Sequence, residues 1–197
     1  MRLKIFLLIL SASLVGTGVW IKIEERREIL AAVEALHKKW VPEFELHSVA
    51  EVIIKTNSDS VVLSKNGDTW LVNGNASEKA DIAAIGQLVQ RVKNLKPAEE
   101  ITAIPAQFAS FELLEPGSGS SGTGILVELR DQNANRLAAV IIGKQSFARP
   151  DPKSPFPPPP NGRFIIPVGS NGPIGLASEG FDGISPKSAD WIQGGVQ

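Results

Sequence analysis

The chain has 197 residues, enough for one domain with a proper core plus an anchor and too few for two full-sized domains. Hydrophobic residues make up 43% and charged residues 21%, which excludes wholesale disorder, and 20 basic against 21 acidic side chains give a formal net charge of -1, so no global field attracts nucleic acid. Cysteine is absent, which removes disulfides, thiolate catalysis and cysteine-based metal sites together.

Arg2 and Lys4 precede an almost uncharged run, Ile5, Phe6, Leu7, Leu8, Ile9 and Leu10, through Leu14 and Val15 to Val19, Trp20 and Ile21, before Lys22 restores charge. About seventeen residues at about 1.5 Å each cover roughly 25 Å, a little short of the ~30 Å hydrocarbon core. The expectation is a signal-anchor over residues 1–22, a transmembrane helix that meets the lipid bilayer through those apolar side chains, with Trp20 and Lys22 at the interface. Ser11-Ala12-Ser13 offers small residues at signal-peptidase spacing, so a cleaved secretory signal is the competing reading. Both readings export the remainder. They place residues 43–197 as an extracytoplasmic domain on the periplasmic side of the bacterial inner membrane.

From Lys22 to Trp40 the pattern is one helix, with Ile29, Val33, Leu36 and Trp40 spaced four, three and four apart and Glu24, Glu25, Arg26, Arg27 and Lys38 on the other faces. Pro42 ends it, so residues 23–42 read as a linking amphipathic helix that packs on its own domain or, alternatively, offers a seam to a partner helix.

Beyond Pro42 the period becomes two. Val49 to Thr56, Ser60 to Ser64 and Thr69 to Val72 read as three antiparallel strands, with Asn66-Gly67 and Asn73-Gly74 as turns. A helix is expected from about Ser77 to Lys96, on the stripe Ile82, Ile85, Val89 and Val92, with Asn75 and Glu78 resembling a capping box and Pro97 as the stop. Pro105 to Phe111 reads as a helical turn, and the Gly-Ser run at 117–122 has a linker's composition that divides the domain into halves near 116–123. Ile125 to Arg130 and Leu137 to Ile142 form a second hairpin around the polar Asp131 to Asn135 turn, further short strands fall at Arg163 to Val168 and Pro173 to Ala177, and a final turn bears Trp191.

Pro150 to Pro160 prefers a polyproline path that does not join a sheet ladder, and Phe156 within it is either a docking residue or part of a stiff insertion. The expected class is α+β: a transmembrane helix continuing into a linking helix, then antiparallel strands packed on one main helix, with a second all-β half.

The sequence offers little chemistry. His37 and His47 are ten apart with no metal-ligand spacing, and Glu24-Glu25, Glu43 with Glu45, and Glu99-Glu100 sit in charged or junction contexts that suit solvated faces. Gly117-Ser118-Gly119 lacks the strand-to-helix context of a nucleophile elbow and has no lysine at a phosphate-loop spacing. Trp70 and Trp191 read as core residues rather than stacking platforms. No catalytic, cofactor-binding or metal-binding residue is therefore expected.

Lys65-Asn66-Gly67-Asp68-Thr69-Trp70, Lys79-Ala80-Asp81, the Phe111 to Pro116 stretch, Ile141-Ile142-Gly143-Lys144 and Ser188-Ala189-Asp190-Trp191 occur in an order that resembles a bacterial domain-of-unknown-function family. The resemblance covers Val49 to Trp191. Members of that family carry an amino-terminal anchor and are sometimes encoded beside auxiliary components of gliding-type ABC transporters. The chain departs from the family pattern at Glu112, where a glycine is usual, and in the length of its proline-rich loop. The resemblance implies a membrane-anchored periplasmic accessory or protein-interaction domain, no enzyme and no cofactor, with a protein partner in the cell envelope and an association with an ABC-type transport system. The alternative expectation is a structural assembly-platform or pilin-like envelope subunit, although a pilin's early acidic residue in the apolar stretch is missing.

Overall fold

The computed structural model describes residues 40–117, 119, 121–178, 181 and 184–194. The expected signal-anchor, Ile5 to Ile21, and the linking helix up to residue 39 lie outside the described residues. Among the described residues no helix is long and apolar enough to cross a membrane.

The described residues form nine strands: β1 Glu51–Lys55, β2 Ser60–Asn66, β3 Thr69–Val72, β4 Asn75–Lys79, β5 Glu99–Ile101, β6 Ile125–Arg130, β7 Arg136–Phe147, β8 Pro160–Pro167 and β9 Ile174–Ala177. They form a single antiparallel sheet in the order β4-β3-β2-β1-β6-β7-β8-β9-β5. One α-helix, α1 Ile82–Lys93, and short 3-10 turns at Leu46–Ser48, Pro105–Phe111 and Ser188–Trp191 complete the described elements.

Among the described residues this architecture overturns the α+β expectation of strands packed on one main helix with a separate all-β half. The sheet is continuous, because β1 pairs with β6 from Glu51 opposite Arg130 to Lys55 opposite Leu126. The Gly-Ser run at 117–122 therefore connects two parts of one sheet.

The helix is also shorter than its stripe suggested. Asn73 and Gly74 both take positive φ, 49° and 70°, the signature of a type I′ hairpin turn, so the chain reverses into β4 before any helix begins. Asn75 stays in that strand and its Oδ1 accepts from the Ser77 N–H, so it caps nothing. The true cap is Asp81, whose Oδ1 accepts from the N–H groups of Ala83 and Ala84 at 2.8 and 3.1 Å. At the other end Glu99 and Glu100 join β5 instead of lying in a helix-to-loop junction. The chain thus leaves one edge of the sheet at β4, crosses as α1 and re-enters at the opposite edge as β5.

Two further boundaries shift. β7 does not stop at Gly143-Lys144 but passes through a register irregularity between Ile142 and Gln145 and continues to Phe147. The Arg163 guanidinium donates to the Gly143 carbonyl at 3.1 Å, which satisfies the acceptor that the irregularity frees. Pro160, at the end of the proline-rich loop, pairs with Phe147 as the first residue of β8, a position where proline is tolerated.

The period-2 pattern gives the sheet two buried faces. Val52 and Ile54, Val61 and Leu63, Val127 and Leu129, Val140 and Ile142, and Ile165 pack with Ile85, Leu88, Val89 and Val92 of α1 in one cluster. The alternate residues Leu126, Ala139, Ile141, Phe164, Ile166, Ile174 and Leu176 form a second cluster with Ala103, Phe108 and Leu113 from around the Pro105–Phe111 turn. That turn can approach closely because Gly143 and Gly124 carry no side chain. A Cβ on Gly143 would collide with the Phe111 carbonyl oxygen, and one on Gly124 would lie 2.5 Å from that of Glu112.

Glu112 itself sits in the left-handed region at φ 56° and ψ 44°, a conformation that costs an L-residue about 1 kcal/mol and glycine almost nothing. Glycine would suit this position, and glutamate adopts its backbone under strain. Two outcomes follow for urea titration of the full chain. Glu112→Gly raises stability by about 0.5–1 kcal/mol. Gly143→Ala lowers it by about 1–3 kcal/mol through overpacking against the turn.

Candidate interaction surface

Strand alternation aims Glu128 at the second face of the sheet, opposite Ile53 on β1 and Ala139 on β7. It is 4% exposed and is the one buried charged residue among those described. Arg136 donates to both its oxygens, at 3.1 and 3.3 Å, and Arg130 Nε donates to Oε1 at 2.7 Å while reaching Glu51 at 3.5 Å. Burial pushes the Glu128 carboxyl up, but hydrogen bonds and positive charge from Arg136 and Arg130 outweigh it and hold the group below the usual carboxylate range. Two carboxylates and two guanidiniums satisfy one another in this network. It fixes β1, β6 and β7 in register, and no free nucleophile, acid or base emerges from it.

On the α1 face the geometry is different. The segment from Trp40 to Val49 lies against the sheet's first core, with Trp40, Val41, Phe44 and Val49 buried. Lys93 places its ammonium 5.9 Å from the Phe44 ring centroid, which ties the segment to the carboxyl end of α1. Toward the amino end of α1 an open recess of about 300 Å³ is lined by both elements. Leu46 and Ile82 form its lips and stay 42% and 55% exposed, whereas Trp70, Val49 and Val89 are buried in its floor. Gly86 opens the helix side, since nothing lies within 4 Å of where its Cβ would stand. Lys65 and His47 supply the ionisable groups of the lining.

The residues singled out in the sequence are dispersed over the fold. The anchor residues, His37 and Glu24-Glu25 lie outside the described residues. His47 belongs to the Leu46–Ser48 turn, and Glu100 accepts a hydrogen bond from the Trp40 indole at 3.2 Å on edge strand β5. Trp70 and Trp191 are buried, the latter donating to the Ser185 carbonyl at 2.8 Å. Phe156 is 77% exposed in the proline-rich loop. Among the described residues no three His, Asp or Glu side chains are grouped to hold a metal ion.

The recess is not legible in the sequence, because Ile82 shares its stripe with Ile85 and Val89 and so reads as core. Gly86 was the available signal. A glycine amid good helix formers at a position of ordinary φ weakens the helix without any backbone requirement.

Comparison with family models, with curated proteins and with solved structures finds no match to this chain.

The Glu128 network makes stability depend on acid pH. Its folded pKa is lowered, so the stabilisation is fully present above the unfolded carboxyl value of about 4.3 and is lost as pH falls through the lower folded value. Glu128→Gln is expected to cost about 1–3 kcal/mol at pH 7, because two guanidiniums lose a charged acceptor. It also flattens the fall in urea midpoint below pH about 4. A variant that keeps the wild-type acid dependence would remove Glu128 from that role.

Proposed function

We propose that this chain is a non-catalytic protein-interaction module of the bacterial cell envelope, an accessory domain on the extracytoplasmic side that works beside an ABC-type transport system. The observation that carries the binding part is the recess beside α1, where two large apolar side chains remain in water at the mouth of an apolar cavity. Among the described residues just three other large apolar side chains, Ile104, Phe147 and Phe156, are comparably exposed, and none of them lines this recess. Exposed apolar atoms gathered around a concavity are what a partner side chain buries on docking. The export part rests on the apolar run from Ile5 to Ile21 and the transporter association on the family resemblance, both read from sequence.

The absence of cysteine makes location directly measurable. Ser58→Cys, in the exposed β1–β2 turn, is expected to react with a membrane-impermeant maleimide in intact spheroplasts. Protection until the cells are lysed would refute the extracytoplasmic placement. For binding, a photo-crosslinking amino acid at Ile82 or Leu46 is expected to give a discrete adduct in living cells that the same group at Phe156 does not give. Equal yields at all three positions would mean that the recess is not the docking surface.

A further inference from the structure

The recess beside α1 also carries information about the chemistry of its occupant. Ile82, Gly86 and Gln90 follow one another at four-residue intervals along the helix, and the middle one is glycine. An interior glycine costs a helix about 1 kcal/mol relative to alanine. Two structural reasons commonly justify that cost, a left-handed backbone or close contact with a neighbour, and neither applies here: Gly86 has no positive φ and has empty space where a side chain would stand. The missing side chain keeps the recess open between Ile82 and Trp70.

The ionisable groups that line the recess itself include no carboxylate. They are Lys65 and His47. A second concavity at the carboxyl end of α1 adds Lys93 and Lys96 with Glu43. On this side of α1, Lys65 of β2, Lys93 and Lys96 thus stand with Glu43 and the exposed Glu45, and the recess lining itself holds a lysine and no carboxylate. Asp81, next to Ile82, has an oxygen committed to the helix N–H groups. A membrane surface of anionic lipid would also meet these cations. The apolar groups, however, surround a concavity instead of protruding from a convex face, which suits a single inserted side chain better than a lipid plane.

Resting on the interaction reading above, we propose that the recess takes an acidic peptide segment of a partner protein: a leucine- or phenylalanine-sized anchor inserted over Gly86, with flanking aspartate or glutamate facing Lys65 and the basic carboxyl end of α1.

A random peptide library displayed on phage provides the test. It is selected on the purified full chain in detergent micelles, with Gly86→Trp as the counter-selected decoy and Gly86→Ala as a control that retains the opening. Both variants are checked for folding by circular dichroism. The expected pool distinguishes wild type from Gly86→Trp, binds Gly86→Ala, and is enriched for an apolar anchor with carboxylates within one helical turn. Its affinity falls about tenfold on Lys65→Glu and declines with added salt. A neutral or basic pool that still discriminates Gly86→Trp would overturn the acidic-partner inference and leave the interaction reading standing. Failure of every pool to discriminate the decoy would overturn both. Vesicles of phosphatidylglycerol that sediment wild type but not Gly86→Trp would replace the peptide by a lipid surface and overturn the inference.

Discussion

The pairing of β1 with β6 is the constraint on which the rest of the molecule depends. It joins residues 51–55 to residues 126–130 across the intervening β2 to β5 and α1, and so converts an amino-terminal meander and a carboxy-terminal meander into one sheet. The register is strongly specified. Val52 and Ile54 must face α1 together with Val127 and Leu129, and a slip by one residue would turn all four toward the other face. It would also move Glu128 away from Arg130 and Arg136, leaving a buried carboxylate without partners. Apolar periodicity and the ionic network therefore select the same register, one by attraction and the other by penalising alternatives.

That seam also explains why a helix is held between the two edges of the sheet. β4 and β5 are the outermost strands, and the sequence between them is α1 with its short connections. Neither edge is rich in apolar residues: β4 reads Asn-Ala-Ser-Glu-Lys and β5 Glu-Glu-Ile. Polar, short edge strands discourage pairing with other chains. The same polarity hid them from a reading of the sequence, because hydrophobic periodicity is the signal by which strands are recognised and edge strands carry little of it. The central strands were legible for the opposite reason. β1, β3, β6 and the first part of β7 alternate or run apolar as buried strands do, and the two Asn-Gly pairs marked where hairpins form. The first pair misplaced its turn by one residue: the loop is Gly67-Asp68, with positive φ at Gly67 and not at Asp68, which is the type II′ pattern.

The helix start illustrates a local rule defeated by a stronger local rule. Asn75 with Glu78 has capping-box spacing, and Asp81 offers an N-cap six residues later. Asn73-Gly74 decides between them, because a type I′ turn directs the following residues back along β3 and makes them strand. Long-range pairing then limits α1 to the residues left over, and Ile82 becomes its first residue instead of a mid-helix core position. Its exposure, and with it one lip of the recess, is thus a consequence of the hairpin. No spacing rule applied to the helix alone would have shown it.

A recess of this size can receive one side chain and not a broad interface, so any affinity it provides must come from an anchor and from orientation, not from area. Rigidity on both sides is what would make such a small site useful. The floor is Trp70 on β3, held in the central core, and the helix wall is fixed by the Asp81 cap at one end and by packing of Leu88 and Val92 along its length. The opposite wall is a short 3-10 turn, Leu46–Ser48, secured by Ser48 to the Glu45 carbonyl and by the buried Phe44 and Val49 on either side. Leu46 is therefore positioned by its neighbours and not by its own burial. That arrangement leaves an apolar side chain pre-oriented in water, and a partner entering the recess would pay little ordering cost for contacting it.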